Sequence, residues 1–147
     1  MKEWKEYHEN HKERFLGEMM DLLRISSVSA KKVHKDDMSK CAEAVKKSLL
    51  DAGADKAEVM PTKGFPVIFA EKIIDPHKPT VLVYGHYDVQ PVEPIELWKT
   101  NPFDPVIKDG KVYARGSADD KGQFFMHIKA LDRKSTRLNS SHANISY

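Results

Sequence analysis

The chain has 147 residues, of which 40% are hydrophobic and 31% charged, and its formal net charge is +2. That length allows one domain with a core, and no block of like charge points to nucleic acid or to an anionic membrane surface. The single cysteine, Cys41, excludes an internal disulfide framework and sets a reducing compartment as the expectation.

No stretch approaches the roughly 20 apolar residues of a membrane span. The charged start, Met1 to Glu6, lacks the apolar run of a secretory signal. The expectation is a cytoplasmic protein with no nucleic-acid and no membrane partner.

Lys2 to about Ile25 reads as an amphipathic helix. Trp4, Tyr7, His11, Phe15, Met19 and Leu22 recur at helical spacing, with charged residues on the other face. His8 and His11 read as a surface and an edge-of-core histidine. Ser26-Ser27-Val28-Ser29 ends the helix, because serine side chains compete for backbone hydrogen bonds.

Asp36-Asp37 is expected to cap a second helix, whose apolar stripe is Met38, Ala42, Val45, Leu49 and Ala52 and whose terminator is Gly53. Cys41 falls on that helix as a small core residue. His34 reads as a loop residue, and so does His77.

Beyond Gly53 the period becomes extended. Ala57–Met60 and Val67–Ala70 are short strands bounded by prolines. Thr80–Tyr84 is the strongest strand signal, a continuous run of β-formers suited to a strand covered on both faces. Val106–Tyr113 reads as a β-hairpin turning at Asp109-Gly110. Phe124, Phe125, Ile128 and Leu131 begin a helix after Asp120. Helices followed by strands predict an α/β layer structure, a mixed sheet with helices packed on it.

Two short pieces carry chemistry: Gly85-His86-Tyr87-Asp88 and Ala118-Asp119-Asp120-Lys121-Gly122. His86 and Asp88 are two apart on an extended segment, so they share a face. They follow an apolar strand, and ligands of α/β sheets bind at such ends. The pair suits a metal site, with the acid fixing the imidazole tautomer. A purely structural hydrogen-bonded pair fits as well. Asp119-Asp120 either caps the following helix or supplies a carboxylate that bridges two cations. Gly116 and Gly122 allow tight backbone geometry there, and Arg115 and Lys121 would moderate the charge.

The ordered set Tyr84-Gly85-His86-Tyr87-Asp88-Val89-Gln90-Pro91, Trp98, Pro102-Phe103, Asp109-Gly110-Lys111-Val112-Tyr113 and Arg115 to Gly122 resembles the di-zinc peptidase and deacylase family. That family contains carnosinase, cytosolic non-specific dipeptidase, acetylornithine deacetylase and succinyl-diaminopimelate desuccinylase. The dipeptidase branch is the most similar.

The resemblance covers about residues 1–131 and implies an incomplete N-terminal part of a zinc-peptidase catalytic domain. It implies that His86 is a zinc ligand, that Asp119 bridges two Zn2+ ions (Mn2+ or Co2+ being possible), and that Asp88, within the catalytic set, orients His86. It also implies a cis Asp119–Asp120 bond. The family reaction is hydrolysis of a peptide bond by a metal-bridging water that a glutamate base deprotonates. The substrate would be a dipeptide or, as the alternative, an N-acyl amino acid. A non-catalytic α/β binding domain is the reading of another class.

The family's Glu-Glu pair, its remaining ligands and its dimerisation domain do not appear in these residues. The expectation is therefore an inactive part of a homodimeric parent.

Residues 132–147 break the helical pattern and read like a translated sequencing-library adapter. They are taken as a non-native tail. Without them, acids and bases balance.

Overall fold

The structure is a computed structural model that describes residues 3–142, with side chains described as far as residue 133. Helix α1 spans Glu3–Arg24. Its apolar stripe lies inward as the spacing predicts: Tyr7, His11 and Phe15 are half-buried and stack in sequence, and Leu22 and Leu23 are buried. Trp4, at the start of the stripe, stays half exposed.

Helix α2 spans Lys35–Asp51 and buries Met38, Cys41, Ala42 and Val45. The predicted cap is corrected. A single 3-10 turn, Lys32–His34, runs straight into α2, so Asp36 and Asp37 fall inside its first turn rather than at the cap. They still meet the positive end of the helix dipole. Asp37 accepts from Ser26 Oγ at 2.9 Å and pairs with His34 Nδ1 at 2.8 Å. Gly53 closes the helix at φ 91°.

Strands β1 (Lys56–Met60) and β2 (Val67–Glu71) form an antiparallel pair with Val59 opposite Ile68. Alternate residues are sheltered, and α2 packs on that face. Strands β3 (Val106–Lys108) and β4 (Lys111–Tyr113) form the expected hairpin. Asp109 at φ 52° and Gly110 at φ 70° supply the two positive φ values that its two-residue turn needs.

A second expectation fails. Thr80–Tyr84 forms no ladder. Val81, Leu82 and Tyr84 are 84%, 89% and 86% exposed. β-propensity measures fit to a pleated, covered surface, and among the described residues nothing pairs with or covers this run. The strands are two separate antiparallel pairs, and residues 80–84 join neither.

Helix α3 spans Lys121–His142. Regular helix thus continues past Leu131, and Asp132 is buried against Arg14 and Lys129. The rest of the reading of 132–147 as a separate tail falls mainly on side chains outside the described ones. The core gathers Leu22 from α1, Cys41, Val45 and Ala52 from and just after α2, and Phe124, Phe125 and Ile128 from α3. Helix α2 therefore lies between the β1–β2 pair and the α1–α3 pair. No described helix is long and apolar enough to cross a membrane.

Candidate metal centre

The site forms where three segments meet: the serine-rich end of α1, residues 86–89, and the loop that opens α3. The first two are tied by backbone. Val89 N donates to Ser27 O at 2.9 Å, and Ser27 Oγ donates to Tyr87 O at 2.7 Å. Ser27 is fully buried. The Tyr87 hydroxyl donates to Pro66 O at 2.7 Å, and burial pushes its pKa up to about 12, so it remains a donor at neutral pH.

The third segment is held by close packing. Gly122 N donates to Gly116 O at 3.2 Å, and a Cβ on Gly122 would lie 1.9 Å from Ser117 O. Only glycine fits there. The Asp119–Asp120 bond is cis, as the resemblance implies. Asp120 is directed at the backbone: its Oδ2 accepts from His86 N at 3.0 Å.

His86 is brought to both predicted acids. Its Nδ1 lies 3.1 Å from Asp88 Oδ1 and 3.1 Å from Asp88 O, and its Nε2 lies 3.1 Å from Asp119 Oδ1. The imidazole and the Asp88 carboxylate are partly exposed, at 42% and 38%, and Asp119 is more open at 74%. Burial pulls the His86 pKa down, but the Asp88 carbonyl and the Asp119 carboxylate outweigh it, and the net direction is upward.

The donor set suits a divalent cation. With Nδ1–H directed at Asp88, Nε2 and an Asp119 oxygen lie side by side, an imidazole and a carboxylate of the kind that hold zinc. The set is partial, since among the described residues no group of three or more His, Cys, Asp or Glu side chains forms a metal cage.

Two neighbours expected to moderate the charge make their hydrogen bonds to backbone carbonyls. Lys121 is fully buried and donates to Leu22 O at 3.1 Å and Ile25 O at 2.6 Å. Arg115 lies 5.1 Å over the Trp98 ring and donates to Pro91 O at 3.0 Å. It joins three of the motif pieces into a frame.

Two contacts were missed in the sequence. Ser29 Oγ donates to Asp88 Oδ2 at 2.5 Å, and Asp120 takes the His86 amide. The only hint of the first was the serine cluster itself, which reads equally well as a helix stop.

Residues 82–146 match the family model described as peptidase family M20/M25/M40. The chain is similar to the M20 peptidases. Beta-Ala-His dipeptidase of Mus musculus is 46% identical over 66 residues, 45% of this chain and 13% of that protein. Cysteinylglycine-S-conjugate dipeptidase of Corynebacterium striatum is 31% identical over 121 residues, 82% of this chain and 27% of that protein. The crystal structure of human carnosine dipeptidase 1 superposes with a TM-score of 0.79 at 29% identity, over 86% of this chain and 29% of that one.

The resemblance drawn from the motifs to M20 dipeptidases, and the α/β class, both stand. The chain spans between about an eighth and under a third of the length of these M20 relatives.

Proposed function

We propose that the chain contributes one part of the catalytic centre of a metal-dependent dipeptidase. His86 and Asp119 are its metal ligands, Asp88 orients His86, and zinc is the first choice of ion, with Mn2+ or Co2+ able to replace it. The observation that carries this reading is the His86 ring, held at Nδ1 by Asp88 and facing Asp119 with Nε2. The relatives named as dipeptidases supply the reaction class.

When bound, the metal polarises the scissile carbonyl. The chain's own residues do the rest of what is in view. Asp88 holds a proton on Nδ1, which leaves Nε2 free to bind. Asp120 fixes the backbone of His86. Asp119 offers a second oxygen, suited to sharing between two ions.

A zinc catalytic site uses three protein ligands, and the described residues supply two. By this reading the polypeptide alone binds zinc weakly and does not turn over. Isothermal titration should show zinc binding that His86→Ala and Asp119→Ala each abolish; unchanged binding in both variants would sink the ligand assignment. A panel of dipeptides and N-acyl amino acids with added zinc should show no hydrolysis. Turnover removed by His86→Ala would overturn the inactivity.

A further inference from the structure

We propose that Ser29 is a positioning residue of this centre: through one hydrogen bond it fixes the Asp88 carboxylate, and through that the ring of His86. The proposal rests on the reading of His86 as a metal ligand.

The contacts form one line across the site. Ser29 Oγ–H donates to Asp88 Oδ2 at 2.5 Å, a short bond of the charge-assisted kind. The other oxygen, Oδ1, meets His86 Nδ1 at 3.1 Å. On the far side of the ring, Nε2 meets Asp119 Oδ1 at 3.1 Å.

Asp88 needs a second partner for a physical reason. Its carboxylate is partly exposed. A carboxylate with one partner can turn about its side-chain torsion and exchange that partner for water. Occupying Oδ2 leaves Oδ1 with one direction, toward Nδ1. The imidazole tautomer then follows from the bond made by the nitrogen away from the metal.

Ser29 is itself anchored. Ser27 binds Tyr87 and Val89 through its side chain and its carbonyl, and Lys31 N donates to Val28 O at 3.2 Å. The hydroxyl is thus presented from a backbone already fastened to the segment that carries His86 and Asp88. Among the described residues the Ser29 hydroxyl makes no other hydrogen bond, and Ser29 is half-buried.

The experiment uses the full chain with Ser29→Ala and Ser29→Thr. Zinc affinity is measured by competition with a chromophoric chelator, and exchange of the His86 Nδ1 proton with water is followed by proton–nitrogen NMR in the metal-free chain. Ser29→Ala should keep the helical circular dichroism, weaken zinc binding about 10- to 100-fold and speed Nδ1 proton exchange. Ser29→Thr, which restores the hydroxyl, should bring both back toward wild type. A folded Ser29→Ala with wild-type affinity and wild-type proton exchange overturns the proposal. Should Ser29→Ala not fold, Ser29→Thr decides alone: normal zinc affinity and proton exchange support it, and loss of both in a folded protein refutes it. If zinc leaves the His86 signals of the wild type unmoved, the metal reading fails, and the proton-exchange arm still decides whether Ser29 holds the ring.

Discussion

The ammonium of Lys121 lies 2.6 Å from the carbonyl oxygen of Ile25, 96 residues earlier in the chain, and also reaches Leu22. The two carbonyls lie in the last turn of α1 and just past it, where the helix runs out of its own i+4 donors. A buried cation there meets the negative end of the helix dipole. The residue after Asp119-Asp120 is therefore a C-terminal cap for another helix. Lys121→Met keeps the apolar stem and removes the buried charged donor, leaving those carbonyls only their backbone donors, Ile25 N at 3.4 Å and Ser27 N at 2.9 Å. It should destabilise the fold by about 1–3 kcal/mol, read as a lower urea midpoint.

Asp37 carries a pH dependence. Its hydrogen bond with His34 holds its pKa below the ordinary 3.8, helped by Ser26 and against the effect of burial. A depressed carboxylate stabilises the fold above its unfolded pKa, and that stability is lost as pH falls through the lower folded value. Wild type should therefore lose melting temperature on acidification to roughly pH 3. Asp37→Asn should start lower at neutral pH and fall less. Equal acid losses in the two proteins would remove Asp37 from the account.

Gly122→Ala is a test of the loop. The added methyl would meet the Ser117 carbonyl, so the backbone carrying Asp119 and Asp120 must shift. Overpacking of this kind costs about 1–3 kcal/mol. The expected result is a lower thermal midpoint together with loss of zinc-induced shifts at His86. A variant of unchanged stability and metal response would show the loop to be looser than its geometry.

Residues 80–84 predict self-association. An uncovered run of β-formers without charge is an aggregation site. Leu82, 89% exposed, has almost nothing to lose on substitution. Leu82→Lys should reduce light scattering at high protein concentration while leaving the melting temperature unchanged within error.

Local signals were legible. The periodicity of α1 and α2, the left-handed stop at Gly53 and the Asp109-Gly110 turn all depend on residues within a few positions. So does the shared face of His86 and Asp88. What could not be read depends on distant partners. A charged lysine beside two acids reads as a counter-ion, yet Lys121 turns inward because α1 ends next to it. The run 80–84 has the composition of a covered strand, but composition does not say whether a neighbour is present. Ser29 lies 59 residues from Asp88, and no spacing rule links a helix-ending serine to a carboxylate on another segment.

The same distances bear on how the centre assembles. The bonds that fasten its segments to the end of α1 close loops of 59, 60 and 96 residues, while the hairpin and helices need only near neighbours. Closing long loops is the slow, entropically costly part of reaching a native state. In refolding, the signal of an ordered His86 should trail the recovery of helical circular dichroism, so the imidazole resonance doubles as a clock for completion of the fold.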